Sequence, residues 1–303
     1  MSERVVVLAG GTGGAKLARG MLDVAGDGLT VIANTADDIE IYGAYVSPDP
    51  DLVTFWLADR IDERGWGLRD DTFAVMDGLR ELGEEIWFSL GDRDLAIGIR
   101  RARRLAEGAR LTETLAELGA ALGVAARVLP MSDEHVRTWV RADAGWMTFQ
   151  EFMIRARAEG PVQDTELRGI GMALPTPEAL AAIAAAHAII IGPSNPVVSI
   201  GPILTVPEMR QALLDSPAPI VAVSPIVEGS VLKGPTAAFM RWAGYDTSTD
   251  AIAAWYAGLI DGLVADEPVE GLPVLQTDTL MSDAASRRRV AEQTLTFAEG
   301  LAA

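Results

Sequence analysis

Residues 4–16 read RVVVLAGGTGGAK, and this stretch decides the fold. Valines crowd residues 4–9, which predicts a strand buried on both faces. Gly10, Gly11, Thr12, Gly13 and Gly14 end it. Residues 15–24 then carry the pattern of a helix. Strand, glycine turn and helix in that order open a doubly wound α/β unit. Glycines let a ligand approach the backbone, and the following helix offers its first N–H groups to an anion. Lys16 lies in the first turn, in reach of a phosphate. Lys16 stands where a dinucleotide loop has its last glycine, and no Gly-Lys-Ser/Thr closes a Walker loop. The plain alternative is a tight turn that packs helix on strand. Four glycines in five residues favour a phosphate site.

Outward from this unit, Leu29–Ala33, Ala188–Ile191 and Ile220–Val223 repeat the buried-strand pattern. Helical patterns cover residues 52–62, 71–82, 95–107, 112–122, 177–186, 206–214 and 282–301. Short strands are expected at Arg127–Pro130 and over residues 135–141. Residues 34–51, NTADDIEIYGAYVSPDPD, are polar and turn-rich and read as a long loop. The expected architecture is α/β, with a doubly wound, mostly parallel, Rossmann-like sheet built from residues 1–94 and 172–303. Residues 95–171 are expected to form an inserted, helix-rich lobe near an acceptor site.

The chain has 303 residues, 49% of them hydrophobic, enough for a sizeable core. No apolar run is long enough to span a membrane, and the N-terminus does not read as a signal peptide. There is no cysteine, so disulfides, thiolate catalysis and cysteine-based zinc sites are excluded. That absence fits a cytoplasmic protein. His135 and His187 are the only histidines, too few for a multi-histidine metal site. With 43 acidic against 25 basic side chains the net charge is −18. Such a surface repels nucleic acids and anionic membranes. A phosphate site must then be local, built from backbone N–H groups, a helix N-terminus, a few basic side chains and a metal ion.

Asp37, Asp38, Glu40, Asp49 and Asp51 follow the second strand, at the sheet edge where the glycine loop lies. Crowded carboxylates call for a cation or a proton between them, and magnesium is the cation suited to oxygen ligands alone. A solvated acidic loop is the alternative. Arg93, in Gly91-Asp92-Arg93-Asp94, can clamp a phosphate, while an N-cap with a surface charge pair is the commoner use of such a tetrapeptide. Gly192-Pro193-Ser194-Asn195-Pro196, then Ser199, form a rigid loop at a strand end. Ser224 and Lys233-Gly234-Pro235 sit after the next strand. These loops suit a base and its phosphates, or are ordinary turns. His135 is a candidate pocket residue and His187 a packed one. Arg100, Arg101, Arg103 and Arg104 read as a solvated helix face. The tryptophans read mostly as core, with Trp56 and Trp66 near enough to the acidic region to stack on a flat ligand.

Together these motifs resemble the CofD/FbiA family, the transferases of coenzyme F-420 biosynthesis. The similarity covers nearly the whole chain. It rests on GGTGG at 10–14, NTADD at 34–38, SPDPD at 47–51, GWGLRDDTF at 65–73, LGDRD at 90–94, LPMSDE at 129–134, GPSNPVVSIGPIL at 192–204 and VSPIVEGSVLKGP at 223–235. The resemblance implies transfer of a phospholactyl, phosphoenolpyruvyl or phosphoglyceryl group from a guanosine diphosphate ester to the ribityl hydroxyl of the deazaflavin Fo. GMP leaves. Magnesium and a homodimer are also implied. So are site residues. Gly10 to Gly14, Lys16, Ser194, Asn195, Ser199 and Ser224 would bind the nucleotide. Asp51, Ser89 and Asp49 would meet the acceptor. Asp37, Asp38 and Asp51 would hold the metal, and Asp51, Asp38 and Arg93 would act in catalysis. Ser89 departs from the basic residue expected in some relatives. A nucleotide-sugar glycosyltransferase and a nucleotide-binding regulatory protein without turnover are the rival readings. Ala15 stands where such a glycosyltransferase loop has histidine, and the retained acidic segments favour the transferase.

Overall fold

The computed structural model describes residues 3–231 and 234–302. Lys233 lies outside them. Seven parallel strands form the central sheet. Their order across it is Val274–Gln276, Gly262–Ala265, Ile220–Val223, Ala188–Ile191, Val5–Ala9, Leu29–Ala33 and Arg127–Pro130. The chain winds outward from Val5–Ala9 through Leu29–Ala33 to Arg127–Pro130. It then returns to Ala188–Ile191, beside the first strand, and winds outward the other way. The order reverses between Val5–Ala9 and Ala188–Ile191, which makes this the topological switch point of a doubly wound sheet.

Alternation along the first strand feeds two cores. Val5, Val7 and Ala9 pack against Leu17 and Met21 of helix Gly11–Ala25 and Val290 and Leu295 of helix Ala284–Leu301. Val6 and Leu8 face the other layer, with Ile183 of helix Pro177–Ala184, Leu213 of Met209–Leu214 and Ile252 of Thr249–Trp255. A sheet covered on both faces needs apolar side chains on both, hence the unbroken VVVLA and AIII strings.

Two stretches differ from expectation. The sheet runs through the segment expected as a lobe, because Arg127–Pro130 pairs in parallel with Leu29–Ala33. Helices Asp92–Ala106 and Leu111–Leu122 precede it. After it comes a separate antiparallel sheet, with Arg137–Ala142 between Gly145–Thr148 and Asp164–Arg168. Thr138, Val140 and Ala142 are buried while Arg141 is exposed, the alternation of a one-sided sheet and the strand expected over residues 135–141.

Residues 34–51 are no loose loop either. Ile39–Ile41 and Ala44–Val46 form a hairpin, and helix Pro48–Leu57 begins at Pro48. Tyr42 and Gly43, with φ of 53° and 76°, make the primed two-residue turn that suits strand twist. Asp49 and Asp51 fall in the first turn of the helix, where negative charge is favoured. Asn34 and Ser47 are buried with partners for their polar atoms: Ser47 Oγ donates to Asp38 Oδ1 at 2.7 Å, and Asn34 accepts from the Ala36 N–H at 2.9 Å, while the other oxygen of the buried Asp38 has none.

Candidate active site

Leu8 stands level with Ile191, and Ala9 with Ala33. The Gly192 N–H donates to the Leu8 carbonyl at 2.9 Å, and the Asn34 N–H to the Ala9 carbonyl at 3.1 Å. Three loops therefore leave the sheet at one level, at the switch point. Hydrogen bonds stitch them together. The Gly10 N–H donates to Ser194 Oγ at 3.2 Å, and the Gly11 N–H to Asp49 Oδ1 at 2.7 Å. Asn34 Nδ2 donates to the other Asp49 oxygen at 2.9 Å. Gly13 is fixed by contact: a Cβ there would lie 2.0 Å from the Pro193 carbonyl oxygen.

Helix Gly11–Ala25 has no side-chain cap. By helix geometry the Thr12 and Gly13 N–H groups have no acceptor within it. Both residues line a cavity of about 740 Å³. Gly10, Gly11, Ser194, Asn195, Ser199 and Ser224 line it too. Other elements add aromatic and apolar lining: Trp66, Trp87, Phe88, Phe149, Met153 and Ile154. Trp87 and Phe88 stack with ring centroids 5.8 Å apart.

Asp37 and Asp49 also line the cavity. Asp49 is bound to the glycine loop, and Gln150 Nε2, beside Phe149, donates to the Asp37 carbonyl at 3.1 Å. Burial pushes Asp37 well above the ordinary carboxylate range, and the charges of Asp49 and Asp38 add to it. Burial lifts Asp49 to about 6 against the hydrogen bonds from Asn34 and Gly11. Asp37 Oδ1 is buried without a hydrogen-bond partner, as is Asn195 Nδ2. Asn195 spends its side-chain oxygen on the N–H groups of Val197 and Val198.

Of the expected residues, Gly10 to Gly13, Lys16, Asp37, Asp49, Ser89, Ser194, Asn195, Ser199 and Ser224 line this cavity. Four others do not line it. Gly14 is buried against Ala9 and Ser194. Asp38 is held by Ser47, with its carboxyl lifted to about 7 by burial despite Arg137 nearby. Asp51 receives both terminal nitrogens of Arg101, Nη1 at 2.9 Å, and the pair is almost wholly buried. Arg101 thus leaves the solvated face expected for its neighbours, because the buried Asp51 carboxylate needs it. Arg93 is exposed and starts helix Asp92–Ala106, with its N–H on Asp71 Oδ1 at 2.9 Å. Asp92 in turn caps helix Ala74–Glu81 through the Ala74 and Val75 N–H groups. Helix Asp92–Ala106 itself has Gly91 at its N-cap and no side-chain cap, so Asp92 caps a neighbouring helix rather than its own. Among the described residues no three acidic or histidine side chains gather around one point for a metal ion, so Asp37, Asp38 and Asp51 do not form a ligand trio.

Lys16 Nζ donates to the Met281 carbonyl at 2.9 Å. Trp66 lines the cavity, but Trp56 lies under Lys16 and Arg287. Trp87 belongs to the cavity rather than the core. His135 lines a second cavity of about 440 Å³ beside Glu40 and Tyr45. His187 is exposed and accepts the Arg4 N–H at 3.1 Å. Sequence reasoning missed Trp87, Phe88, Phe149, Gln150, Met153 and residues 279–281. The adjacent Trp87-Phe88 before Ser89 was a usable signal; the others carried none.

Residues 5–290 match the family of 2-phospho-L-lactate transferase CofD. The chain is 37% identical over 299 residues to the 2-phospho-L-lactate transferase of Methanosarcina mazei, a match covering 95% of this chain and 98% of the relative. It is 38% identical over 314 residues to the phosphoenolpyruvate transferase of Kitasatospora aureofaciens, covering 98% of each. A crystal structure of a UPF0052 family member from Bacillus halodurans superposes with a TM-score of 0.61 at 18% identity, over 97% of this chain and 99% of that one. At that identity the likeness speaks for the fold alone.

Proposed function

The chain belongs to the family of 2-phospho-L-lactate transferase CofD, and we propose that it joins a guanosine diphosphate ester of a three-carbon acid to the ribityl hydroxyl of the deazaflavin Fo, releasing GMP, in coenzyme F-420 biosynthesis. One observation carries this reading. A single cavity is lined by an uncapped helix N-terminus with its glycine cradle, by a group of aromatic side chains and by two buried carboxylates. The cradle suits a diphosphate. The aromatic group suits a flat ring system.

The acceptor hydroxyl attacks the phosphorus that carries the acid. A new O–P bond forms, and the bond to the GMP oxygen breaks. The Thr12 and Gly13 N–H groups hold the donor phosphates in place as charge moves to the leaving oxygen, and Asn195 Nδ2 is a further donor in reach of them. Asp37 takes the proton of the attacking hydroxyl. Its buried, unpartnered oxygen and its raised proton affinity suit that task. No protein nucleophile is needed, since in-line displacement asks mainly for positioning and charge neutralisation.

Magnesium is part of the proposal, and the donor set fits it. Magnesium takes oxygen ligands and commonly one or two carboxylates, with phosphate oxygens and water for the rest. Asp49 lines the cavity beside the glycine cradle, so it would hold the ion through its carboxylate, leaving Asp37 for the attacking hydroxyl. When bound it supplies the positive charge that a protein of net charge −18 lacks toward its anionic donor. At 4 Å an unneutralised charge pair costs about 4 kcal/mol at an effective dielectric near 20. The proposal also includes a homodimer, to be read by light scattering.

Incubation with Fo, magnesium and the lactyl, enolpyruvyl and glyceryl donors, followed by mass spectrometry, tests the reading and names the acid. GMP with a new acidic deazaflavin is the expected result. Sugar transfer, or nucleotide binding with no turnover, refutes it.

A further inference from the structure

One stretch of the cavity wall has no part in the transfer described above. Residues 277–283 leave the edge strand Val274–Gln276 and lead into helix Ala284–Leu301. Thr279, Leu280 and Met281 line the cavity. The stretch is pinned on both sides of Thr279. Arg289 donates to the Asp278 carbonyl at 2.8 Å and to its carboxylate at 3.1 Å. The Leu280 N–H donates to Asp278 Oδ1 at 2.8 Å, and Lys16 Nζ reaches the Met281 carbonyl.

Between these pins sit two side chains whose surroundings are incomplete. Thr279 is 4% exposed, yet its hydroxyl meets no donor or acceptor. Buried hydroxyls are seldom left so, because water no longer satisfies them. Leu280 is 40% exposed, a large apolar group beside a large cavity. A hydroxyl next to an apolar side chain, on a rigid segment, complements a molecule with a polar edge and an apolar face. The position says which half of the reaction is served. Lys16 belongs to the glycine-loop helix, so its bond to Met281 ties the segment to the phosphate cradle.

We infer that residues 279–281 form the clamp for the donor's nucleoside, resting on the transferase reading above. The Thr279 hydroxyl hydrogen-bonds a polar group of the nucleoside, and Leu280 covers its apolar face. Lys16 holds the clamp through the Met281 carbonyl and acts as a positioning residue.

Calorimetric titration of the whole protein with GDP, GMP and inorganic pyrophosphate tests this. Thr279→Val removes the hydroxyl at nearly constant volume. It should weaken GDP and GMP about tenfold, the value of a typical neutral hydrogen bond, and leave pyrophosphate unchanged. Thr279→Ser should keep GDP affinity within about twofold. Leu280→Ala touches a group already partly exposed, so it reports even if the valine variant fails to fold. It too should weaken GDP severalfold and spare pyrophosphate. GDP affinity unchanged in both Thr279→Val and Leu280→Ala overturns the clamp alone. An equal loss for pyrophosphate also overturns it, since the segment would then only support the glycine loop. A wild-type protein that binds no guanosine nucleotide overturns the transferase reading and the clamp with it.

Discussion

Replacing Gly13 by alanine tests whether the two halves of the sheet must meet at the switch point. The new Cβ would lie 2.0 Å from the Pro193 carbonyl oxygen and 3.0 Å from its carbon. Both atoms are backbone, so no side-chain rotation relieves the overlap. To reach an ordinary 3.4 Å contact from 2.0 Å, the carbonyl has to retreat about 1.4 Å. It is not free to do so alone. Gly192 is bound to Leu8, and Ser194 to Gly192 and Gly10. The shift therefore carries Ser194 and Asn195 away from the Thr12 and Gly13 N–H groups. Forced overpacking of this kind costs about 1–3 kcal/mol of stability. A misplacement near 1 Å costs on the order of 100-fold in rate, or about 2.7 kcal/mol. Gly13→Ala should thus lose at least about 100-fold in kcat/KM for GMP release while remaining folded at 25 °C. Steady-state kinetics with a thermal unfolding curve reads both quantities. Wild-type kcat/KM in a folded Gly13→Ala protein would show that the approach of the two loops is irrelevant to turnover.

Arg101→Met strands the buried Asp51 carboxylate and should cost about 3–5 kcal/mol in urea unfolding; a loss under 1 kcal/mol argues against the pair. Asp51→Asn should likewise appear first as lost stability, whereas Asp37→Asn should keep its melting temperature and lose at least about 100-fold in turnover; a fully active Asp37→Asn protein removes that residue from the chemistry. Asp94 is half-buried, and burial together with the Asp51 charge raises its carboxyl to about 7 from an ordinary 3.8. A raised carboxyl penalises the folded state as pH climbs from about 4 through 7. Asp94→Asn should therefore melt above the wild type at pH 8 and close to it at pH 4; a pH-independent difference contradicts the assignment. Gly78 and Gly119 lie inside helices Ala74–Glu81 and Leu111–Leu122 with open space at the Cβ position. Alanine at either should add about 0.5–1 kcal/mol and leave kinetics unchanged. EDTA should abolish activity and magnesium restore it; full turnover without a divalent ion defeats the metal assignment.

The buried-strand strings VVVLA, AIII and IVAV, each ending in glycine, proline or serine, were readable in the sequence because a sheet covered on both faces leaves no place for polar side chains. The same strings, with LTVIA at Leu29–Ala33, placed the Gly10, Asn34, Gly192 and Ser224 loops at the carboxyl edge, since parallel strands all end the same way. What local pattern does not carry is distance. Nothing near Asp51 in the chain announces Arg101, fifty residues on, and nothing near Arg101 marks it off from Arg100, Arg103 and Arg104. Only packing separated the carboxylates that line the cavity, Asp37 and Asp49, from Asp38 and Asp51, held by Ser47 and Arg101. The aromatic wall and the 279–281 segment belong to the same class. Their residues are ordinary apolar and hydroxyl side chains, and become a site because the fold brings four distant segments around one space. Sequence alone thus determined which strands are buried and which loops share an edge, through side-chain periodicity. Tertiary structure decided which charged group has a partner, because pairing depends on contacts the chain makes only after it has folded.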